Sequence, residues 1–231
     1  MTNILFLGNI GSGKSAVAVR ETFKNADRIK TYSNIKFKGK FPVERTVQIN
    51  SSMIIKKELQ EVEGKKPKEV KVFNKEYWAS IGEPINVVID EAHIVLFNSR
   101  RAMSNNNIIA NDFLAMIRRV VSEKSHGGGD LILISQLSRR IDIVAREMAH
   151  QIRYFIMHYR KSCVNCGAYW SENSEMPEKI NYCPNCRSIR LKRSNFCCET
   201  FHFRNIDDFD VWKMYKEQIL EHIQTINNII I

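Results

Sequence analysis

Residues Gly8 to Ser15, reading Gly-Asn-Ile-Gly-Ser-Gly-Lys-Ser, constrain this 231-residue chain more than any other stretch. They match G-x-x-x-x-G-K-[ST], with an apolar run from Ile4 to Leu7 before them and a helix-permissive run from Ala16 to Arg20 after them. A phosphate cradle needs this order of strand, glycine loop and helix. The glycines let the backbone curl until its N–H groups converge on phosphate oxygens, where a Cβ would obstruct. A helix beginning near Gly13 adds its positive end to the same anion. Gly8, Asn9, Ile10, Gly11, Ser12, Gly13, Lys14, Ser15 and Ala16 are therefore the candidate nucleotide ligands. Within this set Lys14 can reach the β- and γ-phosphates and the Ser15 hydroxyl can ligate Mg²⁺. A Gly/Ser-rich turn before an amphipathic helix is the competing explanation, and it leaves the strand in front unexplained.

The second informative stretch runs from Ile85 to His93. Four of the five residues before Asp90 are apolar or β-branched, as in a strand covered on both faces. Asp90 and Glu91 then emerge at its C-terminal end, the edge where open α/β sheets place ligands. Asp90 would hold the Mg²⁺ shell, directly or through water, and Glu91 would polarise the attacking water as general base. The alternative is a strand leading into an acidic helix N-terminus. Asp130 to Gln136 is another apolar strand ending in polar residues at the same edge. Gln136 could hydrogen-bond the γ-phosphate or the attacking water, or close the strand with no further role.

The remaining chain orders itself around these strands. Arg28 to Phe37 predicts a strand, closed by Gly39 and Pro42, and Thr46 to Val62 predicts a helix capped by Asn50 or Ser51. Glu63 to Glu69 predicts a charged loop, and Val70 to Ile81 is ambiguous between helix and connection. Phe97 to Asn107 lacks a core pattern and predicts a surface loop. Ile109, Phe113, Leu114, Ile117, Val120 and Val121 then recur at helical spacing, until Ser125 to Gly129 breaks the run. A helix is expected over Ser138 to Ala149. Strands are expected over Gln151 to Arg160 and Phe196 to Phe203, paired as an antiparallel hairpin, and a closing helix over Asp210 to Ile223.

Cys163 and Cys166 form one C-x-x-C knuckle and Cys183 and Cys186 a second, with 16 residues between Cys166 and Cys183. That spacing lets four thiolates converge on one Zn²⁺. Four thiolates fill the tetrahedron, so the expected metal is structural rather than catalytic. Tyr169 and Trp170 lie inside the module, and Arg187, Arg190, Lys192 and Arg193 follow it. Such a face could touch nucleic acid or could be a solvated basic surface. Cys197 and Cys198 read as packing residues.

Charge and apolar run length bound the setting. The formal net charge of +10 suits a polyanionic partner. No apolar run is long enough to cross a bilayer, and the N-terminal apolar segment is the phosphate-loop strand rather than a signal peptide. These features give the expectation of a cytoplasmic location.

Taken in order, these segments resemble the additional-strand P-loop ATPases of the FtsK–HerA type. Within that group they look most like the small viral genome-packaging ATPases and the zonula-occludens-toxin-like phage morphogenesis ATPases. The resemblance rests on Gly8 to Ser15, Tyr32 to Ile35, Ile89 to His93, Ser99 to Ser104, Arg118 and Arg119, Asp130 to Gln136, Ile141 to Arg146 and Tyr154 to Tyr159. It implies an α/β, RecA-like P-loop NTPase fold with a mostly parallel central sheet, an added antiparallel hairpin and an inserted zinc-ribbon module. The expected organisation is an ATPase core over 1–161, the zinc ribbon over 162–194, and a returning strand and helix of the core over 195–231. It further implies ATP with Mg²⁺, a homo-oligomeric ring around DNA (double-stranded), and ATP hydrolysis coupled to translocation. A host-cytoplasmic, capsid-associated setting and a capsid or portal-site partner belong to the same expectation. By resemblance Gln136 matches the family's glutamine on the strand beside the Asp90–Glu91 strand. An arginine supplied by the neighbouring subunit is expected, with Arg118, Arg119, Arg100 and Arg101 as candidates. The zinc module departs from the family pattern. The phage morphogenesis branch usually carries a membrane segment, so its absence points toward packaging, with phage assembly as the alternative.

Other classes fit less well. A DEAH-type helicase, suggested by Asp90 to His93, needs a second RecA-like domain for which residues 91–231 are too few. A GTPase predicts Asn-Lys-x-Asp, and the nearest string, Asn74 to Tyr77, ends in tyrosine. A small-molecule kinase shares the phosphate loop, but the Asp90–Glu91 pair favours activating water. A zinc-containing nucleic-acid-binding protein with a relic nucleotide site would have no need of intact Lys14, Ser15, Asp90 and Glu91.

Overall fold

The computed structural model describes residues 1–38, 41–62, 65–95, 105–122, 129–136, 138–176 and 180–229. The apolar run before the phosphate loop is strand β1 (Thr2–Leu7), and the glycine loop delivers the chain into helix α1 (Lys14–Phe23). β2 (Lys30–Ser33) and β3 (Thr46–Gln48) follow, then a short α2 (Ser51–Ile54), β4 (Ile55–Val62), β5 (Lys65–Phe73) and α3 (Lys75–Ala79). Next come β6 (Ile85–Ile89), α4 (Ala92–Val95), α5 (Asn105–Ser122), β7 (Asp130–Ile134) and α6 (Ile143–Glu147). β8 (Gln151–Cys163), β9 (Tyr169–Asn173), β10 (Leu191–Phe203) and α7 (Ile206–Ile229) complete the order.

The main sheet runs β10-β8-β1-β7-β6-β2-β3, with β9 paired to β8. Strands β8, β1, β7, β6, β2 and β3 are parallel, while β9 and β10 run antiparallel to β8. β7 thus lies between the phosphate-loop strand and the Asp90–Glu91 strand. The RecA-like P-loop arrangement with its antiparallel hairpin is as the sequence predicts.

Both faces of the sheet are covered, which is why β6 and β7 read as continuous apolar runs. On one face Leu5, Leu7, Val87, Ile89, Leu131 and Leu133 pack against Ile109, Phe113, Leu114 and Ile117 of α5. On the other, Ile4, Phe6, Val88, Ile132, Ile134 and Phe155 pack around Ala18 of α1. Removing one such ring, as in Phe113→Ala, costs about 3–5 kcal/mol.

Three segments depart from expectation. Thr46 to Val62 is not a helix: it divides into β3, α2 and β4, and β4 pairs with β5 as a separate two-stranded sheet. Met53, Ile54, Leu59 and Val62 supply the apolar side of the expected helix, and of these Ile54 is buried in α2. Leu59 stands 75% exposed, so the set does not mark one core face. Of the expected loop from Glu63 to Glu69, residues 65–69 belong to β5, while 63 and 64 lie outside the described residues. The helix expected over Ser138 to Ala149 shrinks to a 3₁₀ turn (Ser138–Arg140) and α6. Asp142 interrupts it: its backbone is non-helical (φ −53°, ψ 142°), and its carboxylate accepts from the Val144 N–H and from the Asn107 and Asn111 side chains of α5. Of the expected surface loop, 97–104 lie outside the described residues, and Asn105 to Asn107 open α5. The expected break after α5 likewise falls outside them except for Gly129. No helix among the described residues is long and apolar enough to cross a membrane.

Candidate functional site

Parallel strands β1, β6 and β7 end at one edge of the sheet, and each hands a polar segment to the same place. The chain leaves β1 through Gly8, whose φ of 143° is open to glycine and rarely to other residues. A Cβ there would stand 2.5 Å from the Phe155 carbonyl oxygen and 2.8 Å from Ser12 Oγ, so the loop can lie this close to β8 only with glycine. Gly13, also at positive φ, caps α1.

Lys14 is buried and its ammonium is held by the Gly8 and Asn9 carbonyls at 2.7 and 2.9 Å and by Ser12 Oγ at 3.2 Å. Burial lowers its pKa, and the carboxylates of Asp90 and Glu91 oppose that shift. Ser15 Oγ donates to Asp90 Oδ2 at 2.9 Å, which brings together the two groups that would share a Mg²⁺. Asp90 is fixed in turn by Asn34 at the end of β2. The Asn34 amide donates to the Asp90 carbonyl at 2.8 Å, and its oxygen accepts from the Asp90 N–H at 2.7 Å. Ile10 is 69% exposed at the loop tip, where a backbone N–H rather than a side chain is the useful group.

Glu91 sits one residue past the strand at φ 51°, a left-handed backbone that non-glycine residues seldom adopt. The conformation turns its carboxylate back over the sheet edge. Gln136 Nε2, arriving from β7, donates to Glu91 Oε1 at 2.7 Å. Oε2 is buried with no hydrogen-bond donor among the described residues, His93 Nδ1 lying 3.5 Å away. His93 Nδ1 is 3.1 Å from Ser135 Oγ. Burial lowers the pKa of His93, Glu91 pulls it up and Arg140 pushes it down, and burial is the largest of the three. The imidazole is therefore neutral at neutral pH. With one oxygen held by Gln136 and the other set beside His93, the carboxylate is fixed at the ligand edge next to the phosphate loop, where a general base for water would stand.

The structure thus brings Lys14, Ser15, Asp90, Glu91 and Gln136 to one edge. It does not bring Arg118 and Arg119 there. Both are exposed near the C-terminal end of α5, about 20 Å along that helix from its start at 1.5 Å per residue. Since α5 connects β6 to the parallel β7, that end lies at the opposite edge of the sheet. Within one chain they cannot serve this site. Arg100 and Arg101 lie outside the described residues. Sequence reasoning gave no individual role to Asn34, His93 or Arg140. Asn34 and His93 do lie in segments that carry the resemblance, and all three follow strands that end at the ligand-binding edge.

At the far end of β8 the four cysteine sulfurs lie within 4.8 Å of one another, with Cys163 and Cys186 3.5 Å apart and Cys166 and Cys183 3.6 Å apart. Zinc–sulfur bonds of about 2.3 Å in a tetrahedron require roughly 3.8 Å between sulfurs, so the set fits a Zn²⁺. The knuckles are built alike: Gly167 N–H donates to the Cys163 carbonyl, and Arg187 N–H to the Cys183 carbonyl. The N–H groups of Cys166 and, more weakly, Asn165 lower the Cys163 thiol to about 6, and those of Cys186 and Asn185 lower Cys183. Cys197 is exposed, and Cys198 contacts the phosphate loop, its thiol 3.5 Å from the Ser12 carbonyl.

Among solved structures, the chain is similar to the genome packaging NTPase of Sulfolobus turreted icosahedral virus 2 solved with AMPPCP. The two are 15% identical over 67% of this chain and 74% of that one, with a TM-score of 0.40. It is similar to the N-terminal domain of zonular occludens toxin from Neisseria meningitidis, at 15% identity over 86% and 94% and a TM-score of 0.38. A KaiC-like protein from Pyrococcus horikoshii OT3 aligns at 13% identity over 87% and 89%, with a TM-score of 0.40. No curated protein matches the chain. The model of the family described as zonular occludens toxin (Zot) matches residues 2–171, a span holding the phosphate loop, Asp90, Glu91, Gln136 and the first cysteine knuckle. With that match extending over well more than half of its length, the chain belongs to the Zot family.

Proposed function

We propose that this Zot-family chain is an ATP-hydrolysing, DNA-translocating motor of the genome-packaging kind, acting as a homo-oligomeric ring. The observation that carries the hydrolase reading is Glu91, a carboxylate held at the ligand edge by Gln136 on one oxygen and flanked by His93 on the other. A kinase would direct the γ-phosphate to a bound acceptor, whereas a carboxylate fixed at the sheet edge beside a phosphate loop suits activation of water. Lys14 and the N–H groups of Gly8 to Ala16 would hold the triphosphate, and Ser15 and Asp90 would hold Mg²⁺. When bound, that ion neutralises charge on the phosphates. Glu91 orients and deprotonates the water, Gln136 fixes Glu91, and Asn34 fixes Asp90.

The formal charge of +10 supports DNA as the polyanion on which the motor acts. The exposed Arg118 and Arg119, remote from their own chain's site, are compatible with a role in a neighbouring copy's site. The four-cysteine set would hold a structural Zn²⁺ in a ribbon inserted into the ATPase core. The family match is also compatible with a second reading, a phage assembly ATPase, which shares all of this chemistry and differs in what is moved.

Paired variants test the hydrolase reading. Lys14→Ala is expected to lose ATP binding, and Glu91→Gln to bind ATP while phosphate release falls about 10²–10⁴-fold. Wild-type turnover by Glu91→Gln would contradict the assignment.

A further inference from the structure

Strands β9, β8 and β10 form the root of the cysteine ribbon and leave one face open. Register places Tyr169 and Lys192 opposite Ser162, and Ser171 and Ser194 opposite Arg160, so these six side chains share a face. Tyr169 is 72% exposed, and the Arg160 guanidinium carbon lies 5.5 Å from its ring centroid. Near the second knuckle the pattern repeats: Tyr182 is exposed, with Arg187 5.0 Å from its ring.

The charges are sorted. Among the described residues of 160–194, the exposed charged side chains are Arg160, Arg187, Arg190, Lys192 and Arg193, all cationic. The described carboxylates of this segment are turned inward: Glu172 is buried against Lys161 at 3.0 Å, and Glu175 is engaged by Lys216 and the Tyr154 hydroxyl. Cations outside and anions inside make a surface complementary to a polyanion.

A strained residue points the same way. Gly167 and Arg187 each stand fourth after the first cysteine of their knuckle, at φ 73° and 59°. Glycine adopts this backbone freely and arginine does not. Folding alone favours glycine at both positions. Arg187 instead brings a guanidinium to the Tyr182 ring, and strain of this kind collects where a side chain has work to do.

We propose that the ribbon, through this face and the neighbouring second knuckle, binds a single strand of nucleic acid, with phosphates on Arg160, Arg187, Arg190 and Lys192 and unpaired bases stacked on Tyr169 and Tyr182. Exposed rings beside guanidinium groups offer base stacking that tolerates any sequence, and paired bases of a duplex do not present their faces. The inference deepens the reading of the chain as a DNA motor and rests on it for the class of partner.

The test is fluorescence anisotropy on the full-length, zinc-loaded chain without nucleotide, with a labelled oligothymidine of about 20 nucleotides and a duplex of equal length, across a salt series. The single strand is expected to bind more tightly than the duplex. Tyr169→Ala should weaken single-strand binding roughly 5- to 50-fold. Arg160→Gln should lower the slope of log affinity against log salt by about one. Arg187→Gly should weaken binding while raising the ribbon's melting temperature, because glycine relieves the backbone, and that opposite movement separates binding from misfolding. Failure to bind the single strand, duplex preference indifferent to Tyr169, or undiminished binding by Tyr169→Ala and Arg187→Gly would each overturn the proposal. With no nucleotide present, the result is independent of ATP hydrolysis. A chain whose ATPase responds to DNA but which fails here loses only the ribbon proposal.

Discussion

Glu91 shows how much of the site depends on a single backbone angle. Its left-handed conformation presents the carboxylate to Gln136 on one side and to the His93–Ser135 pair on the other. Gln136→Ala frees that carboxylate to other rotamers. It is expected to lower kcat about ten-fold or more with ATP affinity unchanged, because a misplaced base costs rate rather than binding. Steady-state kinetics with a nucleotide titration checks this, and a loss confined to affinity would contradict it. His93 carries a pH signature. Its pKa is lowered from 6.5 by burial, so the unfolded chain binds the extra proton first as pH falls. Its contribution is fully present above about 6.5 and is lost as pH drops toward the lower folded value. Melting temperature should therefore fall between about pH 7 and pH 5 in the native chain and fall less in His93→Gln. Parallel curves for the two proteins would contradict a buried neutral imidazole.

At the scale of elements, what the sequence revealed depended on which faces are buried. β1, β6 and β7 were legible because two-sided burial demands unbroken apolar runs, and the motifs at their ends followed from that. The β4–β5 hairpin was not legible, because both its faces are largely solvated. Pairs such as Lys57–Glu69, more than half exposed, are worth at most about 1 kcal/mol and leave no pattern. The helix after Ser138 was shortened by Asp142, whose partners Asn107 and Asn111 lie on a helix distant in sequence, so no local signal announces the break. Asn34 was equally hidden: its hold on Asp90 exists only because β2 and β6 are neighbours. The cysteine spacing, by contrast, predicted the four-sulfur cluster at once. Chelation of Zn²⁺ is expected to unfold the ribbon before the core, giving two thermal transitions by calorimetry in place of one. A single transition indifferent to chelator would contradict a metal-held module.

Across the whole molecule, the ribbon and the phosphate loop are joined. The Asn9 side chain donates to the Ser174 carbonyl at 3.1 Å, just beyond β9. Ser174 is bonded to Met157 of β8 through both its N–H and its hydroxyl, and a Cβ on Gly13 would lie 2.8 Å from the Met157 methyl. Unfolding the ribbon therefore removes a partner from the loop that would hold ATP. At about 1 kcal/mol for one hydrogen bond, chelation should raise the Kd for ATP about five-fold, and an unchanged Kd with the ribbon unfolded would contradict the coupling. The central claim, a DNA motor whose complete site is assembled from more than one copy, is met most directly by steady-state phosphate release across a protein concentration series, with and without DNA. The account predicts specific activity that rises as subunits assemble and rises further with DNA. Activity indifferent to both would contradict it and leave a self-sufficient single-chain hydrolase.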